Sequence, residues 1–303
     1  MTKGFITVAA GEYYCKLATH LYYSYKLFGN SEYPFYVITD RDGETLLKNV
    51  FDGVIVKNVL IKSSVDKLKF FTDTPFDETI FIDADCSVVN DLNYLFTTFE
   101  DNNSDISAIS GIHSLENRDK GIQFGKKAIE ELNLTYDFPN FNGGVYYYRK
   151  SERSAEYIDF MLHHILPNYH RLGLLSGNKN EIYDEPIIIV AMIYFGMKTV
   201  PLDTNIMYLV QKPKKVKWNI RKHKCKFQWY ESMVSPSIIH WKVGGTETYN
   251  YEKYDATING KYLNWSLLKV IKQKLLSFIK FYIYPKLLKV CPRLHNLVVK
   301  HKK

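Results

Sequence analysis

Two carboxylates separated by one residue follow a short apolar run in the first third of the chain. Asp83 and Asp85 come directly after Thr79–Ile82, whose β-branched and aromatic residues predict a buried strand. In open α/β sheets, ligands bind in the crevice beyond the carboxyl ends of the strands. Two carboxylates at that position can converge on one divalent cation, although Asp is also common where a strand simply ends. This D-x-D pattern is therefore a candidate metal site.

A second segment of interest is Phe141–Val145, in which two consecutive glycines precede an aromatic run. We interpret Gly143 and Gly144 as having no packing value and as weakening a strand, so a ligand approaching the backbone would explain them. Asn142 beside them offers a donor and acceptors to a hydroxyl-rich ligand. A simple turn or bulge is the alternative.

Two further segments carry side chains that bind cations or move protons. Asp184 and Glu185 stand just before Pro186 at a predicted helix start, where carboxylates are electrostatically favoured, so a purely structural role also explains them. His240 stands near the end of the run Ser237–Trp241, and carboxylate plus imidazole ligation suits Mn²⁺. A lone His is as often a hydrogen-bonded structural residue.

The elements that must position these residues alternate between strands and helices, which predicts a mostly parallel sheet with flanking helices. Strands are expected at 5–10, 35–39, 53–56, 79–82, 105–110 and 144–148, with 199–200 and 237–241 completing the sheet. Helices are expected at 11–28, 45–49, 65–71, 126–132, 151–169 and 186–195.

Charge is distributed unevenly along the 303 residues. No acidic residue follows Asp255, whereas 11 Lys and Arg lie between Lys261 and Lys303, so we predict a body of residues 1–255 and a basic extension of residues 256–303. Apolar residues at helical spacing between Leu268 and Tyr282 predict an amphipathic helix on an anionic membrane surface. A helix that packs on the body is the alternative.

Composition narrows the class of protein further. Four widely separated cysteines without a C-x-x-C pair indicate reduced thiols, and the apolar run Phe5–Ala10 is too short for a signal-peptide core. We therefore expect a cytoplasmic protein that is peripherally associated with a membrane and has no membrane span. Nucleic acid is not an expected partner, because the body is not basic.

Together these segments resemble the family-8 glycosyltransferases, the group of glycogenin and bacterial lipopolysaccharide sugar transferases, over residues 4–250. The similar segments are Phe5–Thr7 with Tyr13–Ala18, Lys67–Leu68, Phe81–Asp85, Phe141–Val145, Asp184 and His240. The resemblance implies a GT-A-type, Rossmann-like mixed sheet. It also implies metal ligation by Asp83, Asp85 and His240, catalytic roles for Asp184 and Glu185, and nucleotide-sugar contacts at Thr7, Ala9, Tyr14, Lys67, Asp83, Ala84, Asn142, Gly143, Lys242 and Gly244.

The chain departs from the family pattern at two places. Glu185 stands where the family has Gln, which adds a negative charge beside the anomeric carbon. The family pattern H-x-x-G-x-x-K-P-W is replaced by His240-x-x-x-Gly244, so Lys242 or the basic stretch 212–226 would have to supply the phosphate-binding cation.

The resemblance implies a metal-dependent transferase that uses Mn²⁺ or Mg²⁺. It would move a hexose from a UDP sugar to a glycan or glycolipid acceptor with retention of anomeric configuration. Asp83-Ala84-Asp85-Cys86-Ser87 also fits the D-x-D-x-S motif of haloacid-dehalogenase-type phosphatases, whose nucleophilic Asp usually lies on the first strand. A non-catalytic, membrane-associated protein that binds nucleotide sugars is the third alternative.

Overall fold

A six-stranded mixed sheet forms the centre of the fold. The computed structural model describes residues 1–29, 31–58, 64–110, 127–134, 141–176, 181–201, 204–210, 214–219, 224–229 and 231–241. The strands of the sheet are β1 (Lys3–Val8), β2 (Phe35–Thr39), β3 (Gly53–Val56), β4 (Glu78–Ile82), β6 (Ile106–Ser110) and β7 (Phe141–Arg149), with β5 (Cys86–Val88) lying outside it. Their order is β3-β2-β1-β4-β7-β6. Only β7 runs against the other five, so the predicted mixed, mostly parallel sheet is confirmed.

Both faces of this sheet are covered by aromatic side chains. Phe5 on one face packs against Tyr25 and Phe96, which lie on flanking helices. Phe81 on the opposite face packs against Phe71, which also contacts Tyr146. All five residues of β4 are buried. Because both faces of β4 are buried, its sequence is largely apolar throughout and does not alternate between apolar and polar residues.

The helices are α1 (Gly11–Phe28), α2 (Arg41–Leu47), α3 (Leu95–Asp101), α4 (127–132), α5 (Glu152–Phe160) and α6 (Asp184–Tyr194). The helix α2 begins four residues before its predicted start, because the Asp40 side chain accepts a hydrogen bond of 2.6 Å from the Gly43 N–H. The helix predicted at 65–71 is instead a 3₁₀ helix, Ser64–Asp73.

The long helix predicted over 151–169 is divided into three parts. Ser151 caps α5 in a reciprocal capping box, and the helix then continues as a π-helical turn, Met161–Ile165, and a 3₁₀ turn, Leu166–Asn168. Pro167 has no N–H with which to continue the α-helical pattern, which accounts for the change.

The remaining strands form small sheets outside the central one. They are β8 (Leu175–Ser176), β9 (Glu181–Ile182), β10 (Met207–Val210), β11 (Lys214–Asn219), β12 (Lys224–Trp229), β13 (Ser232–Val234) and β14 (Ile238–Trp241). The prediction that β14 completes the central sheet is wrong: it pairs in parallel with β10 and antiparallel with β5. Val200 does reach the central sheet, through one isolated parallel bridge to Ile109.

The chain divides into two units, residues 1–246 and 247–303, and every described residue belongs to the first. The predicted amphipathic segment of the basic extension, and the predicted contacts Lys242 and Gly244, lie outside the described residues. Among the helices that the structure describes, none is both long and apolar enough to cross a bilayer.

Candidate active site

The site lies where β4 ends and β7 begins. Because β7 is antiparallel to β4, its first residues lie beside the last residues of β4, with Val145 opposite Ile82. The Asp83 N–H donates to the Gly144 carbonyl at 2.9 Å, and the Cys86 N–H then donates back to the Asp83 carbonyl at 2.9 Å. This tight turn holds the D-x-D segment against the Asn142–Gly144 backbone. The two segments are 57 or more positions apart in sequence, and the structure brings them into contact.

A buried lysine connects three parts of the site. Lys67, on the 3₁₀ helix, has a side chain only 15% exposed, and its Nζ lies 2.8 Å from both carboxylate oxygens of Asp83. The same nitrogen lies 2.9 Å from Oδ2 of Asp184 and 3.3 Å from the Gly143 carbonyl. Burial lowers the pKa of Lys67, but the carboxylates of Asp184 and Asp83 outweigh that effect and raise it, so the ammonium stays charged.

A histidine and a carboxylate face each other next to this cluster. In the β14–β5 ladder His240 is paired with Cys86, and this register places its Nε2 3.2 Å from Oδ1 of Asp85. The other ring nitrogen, Nδ1, contacts Oδ1 of Asn142, which also accepts a hydrogen bond of 3.2 Å from the Gly144 N–H.

These contacts determine the protonation of the His240 ring. The Gly144 N–H can only donate, so the Asn142 atom that faces it is the amide oxygen, and His240 Nδ1 must be the donor to that oxygen. Nε2 faces the Asp85 carboxylate, which also only accepts, so without a cation Nε2 carries a proton as well. Burial lowers the pKa of His240, but the hydrogen bond and the charge of Asp85 outweigh this effect and raise it. A cation between Nε2 and Asp85 would displace that proton, and an Nδ1–H bonded to Asn142 with Nε2 free for the metal is the arrangement in which imidazole ligates metals.

Asp85 and His240 therefore form a donor pair that fits a divalent cation such as Mn²⁺. Their ligand atoms and the Cys86 sulfur all lie within 4.8 Å of one another. Burial raises the pKa of the Cys86 thiol well above its usual value, and its Sγ contacts the Gly144 carbonyl at 3.6 Å, so the thiol is neutral and a weak ligand. Cys86 was not predicted, although it follows the D-x-D motif directly.

Asp83, predicted as a third ligand, is placed differently from Asp85. Both of its carboxylate oxygens bond the Lys67 ammonium. Burial raises the pKa of Asp83, and the charges of Lys67 and His240 oppose that rise.

The two predicted catalytic carboxylates stand in the first turn of α6. Asp184 is buried and accepts a hydrogen bond of 3.0 Å from the hydroxyl of Tyr146, a residue that the sequence analysis did not single out. Glu185 Oε1 accepts a hydrogen bond of 2.7 Å from the Gly143 N–H. Burial raises the pKa of Glu185, and the neighbouring Asp184 charge raises it further. A carboxyl group whose pKa is raised above the ordinary Glu range suits acid–base chemistry.

The two glycines are packed, contrary to the expectation that they have no packing value. A Cβ on Gly143 would lie 2.5 Å from the Tyr146 hydroxyl, and one on Gly144 would lie 2.6 Å from His240 Nδ1 and 2.7 Å from the Met207 sulfur. Both positions therefore require glycine because the protein's own side chains approach the strand. Met207 could not be found from the sequence, since no local pattern distinguishes it.

The remaining predicted nucleotide-sugar contacts lie at the end of β1, on α1 and between Asp83 and Asp85. Tyr14, on α1, is 43% exposed, and burial together with the Asp85 charge raises the pKa of its hydroxyl. Thr7 is buried and, among the described residues, its hydroxyl has no hydrogen-bond partner. Ala9 is fully buried, with its N–H bonded to the Ile38 carbonyl at 2.9 Å, and Ala84 is buried within the Asp83–Asp85 turn.

By sequence, neither a protein-family profile nor a curated protein matches the chain. Solved structures do resemble it. The galactosyltransferase LgtC with donor and acceptor sugar analogs is 11% identical, with a TM-score of 0.54 over 84% of this chain and 95% of that one. An active-site Gln→Glu variant of LgtC is 12% identical, with a TM-score of 0.56 over 85% and 95%. Mouse xyloside xylosyltransferase 1 is 12% identical, with a TM-score of 0.51 over 81% and 99%.

At this level of identity the likeness concerns the fold. The similar chains are covered almost completely, so the likeness extends over a whole fold rather than over an isolated motif. The chain thus has the GT-A glycosyltransferase fold that its sequence predicts.

Proposed function

We propose that this protein is a metal-dependent glycosyltransferase related to family 8. It moves a hexose from a nucleotide sugar, namely a UDP sugar, to a glycan or glycolipid acceptor. The observation that carries the proposal is the Asp85–His240 donor pair, Nε2 to Oδ1 3.2 Å, set beside the buried Lys67 cluster on a GT-A fold. Such a site combines a cation position with carboxylates next to it, which is what breaking a glycosyl–phosphate bond requires.

In this proposal Asp85 and His240 hold Mn²⁺ or Mg²⁺, with Asp83 contributing through the cation or the ribose. When bound, the ion would neutralise the negative charge that develops on the departing nucleoside diphosphate. Asn142 fixes the His240 ring through its amide oxygen, so the imidazole is oriented before any ligand arrives. Lys242 and Gly244 are proposed to contact the diphosphate.

The sugar is held, in the same proposal, by the backbone at Gly143, by Asn142 and by Asp184. Lys67 keeps Asp184 and Asp83 in fixed positions, and the Gly143 N–H keeps Glu185 at the donor face. Such prior positioning can contribute about 7–11 kcal/mol to catalysis in favourable cases. Tyr14 stacks on the base, with Thr7, Ala9 and Ala84 lining the nucleotide site. Retention of anomeric configuration is proposed from the family resemblance.

The phosphatase alternative receives less support from the geometry. Its nucleophile would be Asp83, but both oxygens of that carboxylate bond the Lys67 ammonium. In addition, Asp83 follows β4, which lies in the interior of the sheet and is preceded by three strands.

We further propose a cytoplasmic location, with residues 256–303 on an anionic membrane surface near a lipid-linked acceptor. Removing residues 266–303 should release the protein from anionic liposomes, and unchanged binding would contradict this placement.

The test of function is transfer from nucleotide sugars with and without Mn²⁺, after a thermal-shift screen that identifies the donor. Asp85→Asn should lose Mn²⁺-dependent turnover while its unfolding temperature in the absence of metal stays close to that of the wild type. Asp42→Asn, at an exposed position on α2, is the matched control and should keep full turnover. Full activity in Asp85→Asn would overturn the assignment of the metal site.

A further inference from the structure

None of the contacts described above for the candidate active site involves the strongly basic hairpin that follows β10. Between residues 204 and 230 there is no Asp or Glu, whereas Lys and Arg occur at 212, 214, 215, 217, 221, 222, 224 and 226. The strands β11 and β12 form this hairpin, and β13 extends it into a three-stranded antiparallel sheet.

The register of the hairpin gathers its lysines on one face. Lys217 is paired with Lys226, and Lys224 is paired with Asn219, so all three lysines point to the same side of the sheet. They are exposed, while the alternate residues Cys225 and Phe227 are buried on the other side. We call Lys217, Lys224 and Lys226 the lysine face.

This arrangement is unfavourable for the isolated protein. Like charges directly across an antiparallel pair have Cβ atoms about 5 Å apart and destabilise the pairing. None of the ion pairs found in the described part of the chain involves the lysine face. A partner that supplies several negative charges in one plane would remove this repulsion.

An apolar side chain on the same face distinguishes between the possible polyanions. Met233 of β13 is paired with Gln228, which lies two residues from Lys226 on the same side of β12, and Met233 is 49% exposed. A flat surface that combines clustered lysines with an exposed flexible apolar side chain suits the interface of a bilayer, where charge meets hydrocarbon. A soluble polyanion offers no apolar region that the exposed Met233 side chain could contact.

We propose that the lysine face binds the anionic phospholipid headgroups of a membrane, with Met233 entering the interfacial layer. Its residues are distinct in sequence from those of the predicted amphipathic helix, and its contribution to membrane binding adds to that of the helix. The inference does not depend on the proposed sugar transfer, because it concerns adhesion and not turnover.

The test is co-sedimentation of the full chain with phosphatidylcholine vesicles, with and without phosphatidylglycerol. Changing all three residues of the lysine face to Gln should weaken binding to the anionic vesicles by about 100-fold, since each lysine near such a surface contributes about fivefold. The matched control changes the exposed Lys48, Lys127 and Lys198 to Gln, which removes the same charge from elsewhere on the body. The control should bind within a few-fold of the wild type.

Two further measurements make the outcome decisive. Met233→Gln should weaken vesicle binding by a factor that does not change with salt, whereas the effect of the lysine changes should shrink at high salt. The triple variant should unfold at the same temperature as the wild type or higher, because the repulsion is gone. Equal vesicle binding by the triple variant and the control would overturn the proposal. The proposal would also be overturned if the triple variant lost binding to a soluble polyanion such as heparin but kept its binding to the anionic vesicles.

Discussion

Replacing Lys67 by Met would remove a buried positive charge while keeping the length of the side chain. In the wild type, Nζ lies 2.8 Å from the Asp83 oxygens and 2.9 Å from Asp184 Oδ2, so these oxygens are no more than about 6 Å apart. At an effective dielectric constant of about 20, two unit charges at that separation repel each other by about 3 kcal/mol. The lysine both cancels this repulsion and bonds each carboxylate.

We expect Lys67→Met to lower the free energy of unfolding by about 3–5 kcal/mol, the usual cost of breaking a buried ion pair from one side. This is a large part of a typical total stability of about 5–15 kcal/mol. Denaturation by urea at pH 7 measures it. The control is Lys69→Met on the same 3₁₀ helix: Lys69 pairs with Asp66 at 2.7 Å but is 54% exposed, so screening by water keeps its loss below about 1 kcal/mol.

A second variant separates repulsion from the loss of packing. Adding Asp184→Asn to Lys67→Met removes one of the two carboxylate charges and should recover about 3 kcal/mol, if the repulsion was the cause. The reasoning is refuted if Lys67→Met is as stable as Lys69→Met, or if the double variant is no more stable than Lys67→Met alone.

Three other predictions concern single positions. Gly144→Ala places a Cβ 2.6 Å from His240 Nδ1 and should weaken Mn²⁺ binding, measured by calorimetry, by about 10–100-fold, and unchanged affinity would contradict the packing argument. Burial raises the pKa of Glu185, so wild-type stability should fall as pH rises from the ordinary Glu range through that raised pKa; Glu185→Gln should lack this fall and show slower transfer. Burial raises the pKa of Asp52, but its hydrogen bonds, including one of 2.8 Å from Tyr22, outweigh this and lower it. Stability should therefore drop as pH falls from the ordinary Asp range through the lowered pKa, and a denaturation series of Asp52→Asn should be flat there.

The central sheet could be predicted from sequence because its signals are local. The apolar runs of β1, β2 and β4, each followed by a polar residue or a glycine, mark strands and their ends within a few positions. The contact between the D-x-D segment and Asn142–Gly144 follows from one further step, namely that β7 begins where β4 ends. The grouping of the site was therefore foreseeable, while the chemical roles of its residues remain predictions.

What escaped prediction depends on contacts between distant parts of the chain. The pairing of β14 with β5 rather than with the central sheet is set by tertiary register, which periodicity does not report. The need for glycine at position 144 comes from the His240 ring and the Met207 sulfur, residues that lie 63 or more positions away. Likewise, the helix predicted over 151–169 is α-helical only as far as Phe160, because Pro167 changes the hydrogen bonding of the turns that follow.

The pairing of β14 with β5 has a consequence for how the protein matures. All six strands of the central sheet lie within residues 3–149, so a chain leaving the ribosome presents all of them before His240 is synthesised. Asp85 is synthesised early, but His240 comes next to it only after β14, the last described strand, has paired with β5. The Asp85–His240 pair of the proposed metal site is therefore completed late, and a chain truncated before β14 would contain every strand of the central sheet but not this pair.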